Sequence, residues 1–130
     1  MGKRVLIVDD DLNSLYFLET ILRERGWGAI KATNGEEALA LARRDPPDLI
    51  VTDLLMPVMD GFTLCRACKA DDVLRRIPII FYTAEYTEQR DKDLAVSLGA
   101  ERYITKPQDP HVLLETFMQA MERSGMTRAE

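Results

Sequence analysis

Short runs of apolar and β-branched residues alternate along the chain with longer segments whose apolar residues recur at helical spacing. In the segment 12–25, Leu15, Leu18 and Leu22 fall on one face of a helix. The runs between such segments have the length of strands, and the nearly all-apolar run over 48–53 is typical of a strand covered on both faces. The pattern predicts five strands, at about residues 4–8, 29–32, 48–53, 79–83 and 102–104.

Residues with capping or helix-breaking preferences mark the ends of the predicted helices. Asn34 is a favoured N-cap for the second helix; Thr87 is the predicted cap of the fourth, which ends at Gly99. The fifth helix has Asp109 as its cap and Pro110 at its first position, an arrangement that helices favour. The first three helices are predicted at about residues 12–25, 35–44 and 62–70.

Five strand–helix units with short connections predict a parallel sheet, because each right-handed crossover returns the chain in the same direction. The expected fold is a doubly wound (βα)5 sandwich of the flavodoxin-like kind, an α/β fold with helices on both faces of the sheet. The common strand order for such a sheet is 2-1-3-4-5, which makes strands one and three neighbours. Open α/β sheets bind ligands at the carboxyl ends of such strands.

Length and composition are those of one globular domain, predicted to span residues 1–123, with 124–130 as a short polar tail or the start of a linker. The formal net charge of −5 argues against direct binding to nucleic acid, since phosphate groups repel an acidic surface. No apolar stretch approaches the ~20 residues that cross a bilayer, and no signal peptide is recognisable. We therefore expect no membrane association and a cytoplasmic location.

Cys65 and Cys68 form a C-x-x-C pair whose position argues against redox or metal chemistry. Redox pairs of this kind open a helix, whereas these two lie well inside the predicted third helix. Zinc would need two further nitrogen or sulfur ligands, but His111 is the only histidine and there is no third cysteine. We interpret the two thiols as packing residues.

The residues most informative about chemistry lie at the ends of predicted strands. They are the triplet Asp9-Asp10-Asp11 after strand one, Asp53 after strand three, Thr83 at the end of strand four and Lys106 after strand five. Because parallel strands end at the same edge of a sheet, we expect these side chains to lie close together. In the predicted strand order, Asp9, Asp10 and Asp53 face one another across a crevice.

Carboxylates gathered at that edge repel one another, so that either one carboxyl stays protonated or a cation fills the site. At an effective dielectric constant of about 20, each pair of charges ~4 Å apart costs about 4 kcal/mol, and Lys106 offsets only part of this repulsion. Hard oxygen ligands without histidine or thiol select Mg²⁺ or Mn²⁺. Such an ion beside a carboxylate, a hydroxyl and an ammonium is suited to phosphoryl transfer, with Asp53 as nucleophile and Thr83 and Lys106 contacting the phosphoryl oxygens.

Motifs at these positions resemble those of the response-regulator receiver domain of two-component signalling. They are Val8-Asp9-Asp10-Asp11, Asp53-Leu54-Leu55-Met56-Pro57 with Asp60-Gly61, Tyr82-Thr83-Ala84 and Lys106-Pro107. The motifs occur in the family's order, and the resemblance covers about residues 4–122. It implies the flavodoxin-like fold and a phosphoacceptor in a two-component phosphorelay rather than a metabolic enzyme.

The resemblance also implies roles for the acidic residues. Asp53 would accept the phosphoryl group and would be one of the Mg²⁺ ligands. Asp10 would bind the ion directly and Asp9 mainly through water. The main-chain carbonyl of Leu55 would complete the protein ligands.

Switching and partners follow from the same resemblance. Thr83 and Tyr103 match a switch pair in which the hydroxyl turns toward the phosphoryl group and the ring moves inward. Lys106 would contact the phosphoryl group, and its bond to Pro107 would be cis. The responding surface would be the fourth helix, fifth strand and fifth helix.

The resemblance also implies partners. A histidine kinase or a phosphotransfer domain would donate the phosphoryl group, and an unidentified output domain or target protein would receive the signal. Activation would be a candidate trigger of homodimer formation.

Some positions depart from the family pattern or leave the acyl-phosphate lifetime open. Gln108 stands where an aromatic or apolar residue is frequent after the Lys-Pro pair. Leu55 and Glu85 occupy positions that tune hydrolysis of the acyl phosphate. Leucine cannot orient a water molecule, whereas glutamate is able to.

Two other interpretations stay open at this point. A phosphohydrolase of the haloacid-dehalogenase type would use Asp9 and Asp11 as its D-x-D pair, although Asn13 stands where Thr or Val is usual and neither a cap domain nor a late acidic pair is present. Its phosphate would be found on Asp9, with repeated turnover. A phosphate-independent interaction module would keep the fold alone, and beryllofluoride, a phosphoryl mimic, would leave its amide NMR spectrum unchanged.

Overall fold

Strands and helices alternate five times along the chain in the computed structural model, as predicted. The structure describes residues 2–84 and 88–129, with side chains as far as residue 124. The elements are β1 (Arg4–Val8), α1 (Leu12–Glu24), β2 (Gly28–Ala32), α2 (Gly35–Arg44), β3 (Leu49–Thr52), α3 (Gly61–Lys69), a 3₁₀ turn (Leu74–Arg76), β4 (Ile79–Thr83), α4 (Gln89–Ser97), β5 (Arg102–Thr105) and α5 (Pro110–Ala129).

The five strands form one parallel sheet in the order β2-β1-β3-β4-β5, which confirms the predicted topology. In the register of the central pair, Val8 of β1 lies opposite Thr52 of β3. Thr83 of β4 lies opposite Thr105 of β5. These pairings bring the residues that follow β1, β3 and β5 to one edge of the sheet, beside the end of β4.

The core consists of two apolar layers, one on each face of the sheet. Alternate residues of a strand point to opposite faces, so that Leu6 and Val8 pack with α2, α3 and α4. Val5 and Ile7 belong to the layer under α1 and α5. Both faces are therefore covered, which explains the continuous apolar runs of the central strands.

Side-chain caps begin several helices at or near the predicted positions. The Asn34 carboxamide oxygen accepts a hydrogen bond from the Glu37 N–H (2.8 Å), and the Asp109 carboxylate accepts one from the His111 N–H (2.8 Å). Glu88 occupies the N-cap position of α4. Thr87, the predicted cap of that helix, lies outside the described residues, as does Glu85.

Strand β3 is one residue shorter at each end than the sequence pattern predicts. The N–H groups of the flanking Asp48 and Asp53 still donate to carbonyls of β1, but their carboxylates bond neighbouring N–H groups. The Asp48 carboxylate accepts a hydrogen bond from the Arg4 N–H (2.8 Å). At the other end, the Asp53 carboxylate accepts one from the Leu54 N–H (2.7 Å) as the chain turns away from the sheet.

Helix α5 continues as backbone to Ala129, past the predicted domain boundary at residue 123, and the division of the chain at that point stays a prediction. Among the described residues, none of the helices combines the length and the apolar character needed to cross a bilayer.

Cys65 and Cys68 lie on the buried face of α3, in the layer shared with α2 and α4. Burial raises the pKa of both thiols, and that of Cys68 to about 11. The Cys65 thiol donates a weak hydrogen bond to the Leu98 carbonyl (3.6 Å). These surroundings agree with the interpretation of both residues as packing residues.

Candidate functional site

Backbone hydrogen bonds between neighbouring strands fix the start of each loop at the carboxyl edge of the sheet. The Asp9 N–H donates to the Ala32 carbonyl (3.1 Å), and the Asp53 N–H donates to the Val8 carbonyl (2.8 Å). The Lys106 N–H donates to the Thr83 carbonyl (2.9 Å). The residues predicted to carry the chemistry are thus attached to the sheet by their own main chain.

Asp9, Asp10 and Asp53 form an acidic cluster at this edge, as the strand order predicts. One carboxylate oxygen from each lies within 4.8 Å of the others. Asp9 is 1% exposed, whereas Asp10 is exposed and the Asp53 side chain keeps 12% of its surface accessible. The donors are all hard oxygens, a set suited to Mg²⁺ and unlike the nitrogen and sulfur sets that hold zinc.

Asp11, the third member of the acidic triplet, has a different position. It is the N-cap of α1, where its carboxylate accepts a hydrogen bond from the Asn13 N–H (3.0 Å). The Asp11 N–H in turn donates to the Asp9 carboxylate (2.9 Å), which fixes the orientation of that buried group. The triplet therefore combines two cluster residues with one helix cap.

The Lys106 ammonium lies over the cluster. Its Nζ is 2.6 Å from Asp9 Oδ2, 3.1 Å from Ser14 Oγ and 3.8 Å from Asp53 Oδ2. Nζ also lies 5.5 Å from the centroid of the Tyr82 ring. The Lys106–Pro107 peptide bond is cis, as expected from the resemblance.

Burial and the neighbouring charges together shift the pKa values of Asp9 and Lys106. Burial raises the pKa of Asp9, and the charge of Asp53 adds to this, although hydrogen bonds from Lys106 and the Asp11 N–H oppose it. Burial alone would lower the pKa of Lys106, but its bond to Asp9 and the nearby carboxylates raise that pKa overall. The lysine stays charged while the carboxylates lack full compensation. A divalent cation would supply the missing positive charge.

The loop after β3 is held in place by several backbone contacts. The Gly61 N–H donates to the Leu54 carbonyl (2.8 Å), and the Gly35 N–H of α2 donates to the Met59 carbonyl (3.0 Å). A Cβ on Gly61 would collide with the Asp53 carbonyl oxygen and the Phe81 ring, so glycine is required there. These constraints fix the chain on either side of Leu55, which is 44% exposed beside the cluster.

Thr83 and Tyr103 occupy the β4 and β5 side of the site. Thr83 is fully buried at the end of β4. The Tyr103 ring is half-buried and packs at a tilt against Phe81, with 6.2 Å between the ring centroids. Burial, followed by the charges of Asp91 and Asp53, raises the pKa of Tyr103 to about 12, so its hydroxyl stays protonated at neutral pH.

The cluster opens into a cleft of about 390 Å³, to which Asp10, Asp53, Leu55 and Lys106 contribute. Such a cleft can admit a small tetrahedral anion. A carboxylate in the cleft can act as nucleophile toward that anion, and the Lys106 ammonium can balance the anion's negative charge. Ser14 also lines the cleft, and sequence reasoning did not single it out. A serine three residues after an Asp cap is ordinary at a helix start, so only its distance from Lys106 identifies it.

The model of the response regulator receiver domain family matches residues 5–118 of the chain. Among curated proteins, the chain is 38% identical to protein PilH of Pseudomonas aeruginosa, over 87% of this chain and 93% of PilH. It is 36% identical to the alkaline phosphatase synthesis transcriptional regulatory protein PhoP of Bacillus subtilis, over 95% of this chain. The chain spans about 50% of PhoP and 25% of the response regulator PleD of Caulobacter vibrioides, to which it is 40% identical where they align.

Solved structures show the same fold. A CheY-like receiver domain protein from Methanospirillum hungatei superposes with a TM-score of 0.90, at 28% identity, over 98% of this chain and 99% of that one. The receiver domain of the sensor histidine kinase PA1611 from Pseudomonas aeruginosa superposes with a TM-score of 0.85, at 29% identity, over 94% and 99% of the two chains. That structure contains a magnesium ion coordinated in the active-site cleft.

Proposed function

Because the chain belongs to the response regulator receiver domain family, we propose that it accepts a phosphoryl group on Asp53 from a histidine kinase or a phosphotransfer domain. One observation carries the proposal. The Asp53 carboxylate lies within 4.8 Å of two further carboxylates and 3.8 Å from the Lys106 ammonium, at the mouth of a cleft.

The two oxygens of Asp53 have different surroundings, which suits one of them for nucleophilic attack. Oδ1 accepts the hydrogen bond from the Leu54 N–H, and this bond fixes the plane of the carboxylate. Oδ2 lies on the side of Lys106. Oδ2 attacks phosphorus, a new O–P bond forms and the P–N bond of the donor's phosphohistidine breaks. The electron pair of that bond returns to the imidazole, and the product on the chain is an acyl phosphate.

Mg²⁺ fits the donor set, with Asp9, Asp10, Asp53 and the Leu55 carbonyl as its protein ligands. When bound, the ion supplies positive charge to the phosphoryl oxygens during transfer. The chain's own residues supply the rest. Lys106 places an ammonium over Asp53, and the buried Asp9 orients that ammonium through a 2.6 Å hydrogen bond.

Phosphorylation changes charge at one point, and Thr83 and Tyr103 relay that change. A phosphoryl group brings about −1.5 to −2 charges and three acceptor oxygens, which attract the Thr83 hydroxyl and Lys106. Movement of Thr83 at the end of β4 leaves space that the Tyr103 ring of β5 can enter. The surface of α4, β5 and α5 then presents the change to an output domain or a target protein, or to a second copy of the chain.

The expected setting is signalling in the cytoplasm, without direct contact with nucleic acid. The net charge of −5 argues against nucleic-acid contact, since an acidic surface repels phosphate backbones. Curated relatives such as PhoP are about twice as long as this chain, so the proposed donor and target are those of a receiver unit.

Labelling with a small phosphodonor tests the proposal. Incubation with acetyl phosphate and Mg²⁺ should add one phosphoryl group to the wild-type chain, as measured by intact-mass spectrometry. Asp53→Asn should not be labelled, because an amide is not a competent nucleophile.

Asp109→Asn is the matched control, since asparagine also caps helices and Asp109, the N-cap of α5, lies outside the acidic cluster. Its labelling should equal that of the wild type. Labelling of Asp53→Asn would contradict the assignment and favour Asp9 as the nucleophile, and loss of labelling in Asp109→Asn would show that such a loss is not specific to the acidic cluster. If the wild type is not labelled, the interpretation that remains is a phosphate-independent interaction module.

A further inference from the structure

The Lys106 ammonium has three N–H donors and three neighbouring acceptors, of which two are within hydrogen-bond distance. Nζ donates to Asp9 Oδ2 at 2.6 Å and to Ser14 Oγ at 3.1 Å. Asp53 Oδ2, at 3.8 Å, is too far for a hydrogen bond. The ion pair with Asp9 and the bond to Ser14 therefore hold Nζ on the Asp9 side of the cluster, and Ser14 is the uncharged one of these two partners.

Ser14 is placed to act on Lys106 by the start of α1. It lies three residues after the N-cap Asp11, and its Oγ–H donates to Asp11 Oδ2 at 3.3 Å. With its proton directed toward Asp11, the oxygen of Ser14 is left to accept from Lys106 Nζ. Asp11 is in turn attached to the helix by the bond from the Asn13 N–H. The ammonium is therefore connected to the rigid end of a helix.

Ser14 also lies at the boundary between two concave surfaces. One is the cleft above Asp53, and the other is a cavity of about 340 Å³ between α1 and the loop after β5, which Phe17, Tyr82 and Pro107 help to line. Lys106 lines both. An ammonium without the Ser14 contact would have room to move in either direction.

We propose that Ser14 is a positioning residue for Lys106, holding Nζ beside Asp9 and out of a direct hydrogen bond with Asp53. The inference rests on the proposed function, in which Asp53 Oδ2 is the nucleophile. A direct bond from Nζ to Oδ2 would occupy the electron pair that attacks phosphorus. It would also displace the ammonium from the place where the incoming phosphoryl oxygens need it.

The matched variants are Ser14→Thr and Ser14→Val, which have nearly the same shape and differ in the hydroxyl. At saturating acetyl phosphate and Mg²⁺, Ser14→Thr should be labelled at about the wild-type rate. Ser14→Val should be labelled roughly tenfold more slowly, because small displacements of a charge-stabilising group have large effects on rate. Thr20→Val controls for loss of a hydroxyl on the same helix, since the Thr20 hydroxyl donates within α1, to the Tyr16 carbonyl. Its rate should be unchanged.

A second arm of the experiment does not depend on phosphorylation. Crystal structures of the metal-free wild type and Ser14→Val should differ in the position of Lys106 Nζ, which in the variant should come within about 3.2 Å of Asp53 Oδ2. An unmoved ammonium, or equal labelling rates for the threonine and valine variants, would overturn the positioning role. If the wild type is not labelled at all, the proposed function fails, and the position of Nζ alone then decides whether Ser14 holds it.

Discussion

Val58 has a backbone conformation that its side chain disfavours. Its φ is 71°, in the left-handed region, and it stands in the loop between β3 and α3 with 74% of its surface exposed. A β-branched residue there is strained at a cost of about 1–2 kcal/mol, and the exposed side chain contributes little packing in return. The surrounding contacts of the loop, such as the bond from Gly35 to the Met59 carbonyl, keep the strain in place.

Val58→Gly should therefore raise the free energy of unfolding by about 0.5–1 kcal/mol, the relief of strain less the greater entropy of glycine in the unfolded chain. Urea unfolding measures this difference. Val73→Gly is the matched control, because Val73 is also exposed (64%) but has a φ of −83°. That variant should lose stability. If both variants were destabilised equally, Val58 would not be strained.

Individual site residues differed in how far the sequence could identify them. Asp9, Asp10 and Asp53 could be predicted because each lies one or two residues after a strand, and strand ends of a parallel sheet share an edge. Ser14 could not, since its contact with Lys106 joins residues 92 positions apart through α1 and the loop after β5. The left-handed φ of Val58 could not be predicted either, because valine rarely adopts that conformation and its presence in a sequence does not indicate it.

Helix α3 is the element that joins the site to the core. Its N-terminus at Gly61 touches the Asp53 loop, and its buried face carries Cys65 and Cys68. The Cys68 thiol, with a pKa raised by burial to about 11, is almost wholly protonated at pH 8. Its reactivity thus reports whether α3 leaves the sheet.

In the folded chain at pH 8, iodoacetamide should modify Cys65 and Cys68 at least a hundredfold more slowly than in the urea-unfolded chain, since both burial and the raised pKa act against the thiolate. Mass spectrometry against time measures the two rates. The folded-state rate should rise with pH as the thiolate fraction increases. Equal rates in folded and unfolded chains would mean that α3 does not bury these residues in solution.

Element boundaries were predictable to within a residue or two where capping residues stand, and less so elsewhere. Asn34 and Asp109 act as expected because their short polar side chains bond the free N–H groups of a first turn. The end of α5 was not predicted, because residues 124–129 include Gly125 and have no apolar pattern of their own, so their helix only continues that of the preceding turns.

At the scale of the whole molecule, topology followed from simple rules. Five strand–helix units must be wound in parallel, and few strand orders satisfy right-handed crossovers with both faces covered. The observed order places β1 beside β3, so one crevice receives Asp9, Asp10 and Asp53. The apolar pattern therefore determines both the strand order and the meeting of these three carboxylates. The orientation of Lys106 over the site depends on local contacts that the pattern does not contain.

Asp53 is the proposed phosphoryl acceptor of this assembly, and chemical trapping of the acyl phosphate identifies the acceptor residue itself. After incubation with acetyl phosphate and Mg²⁺, borohydride reduction converts an aspartyl phosphate to homoserine, which peptide mass spectrometry can localise. Homoserine is expected at position 53 and at no other aspartate. Homoserine at position 9, or at none, would contradict the assignment.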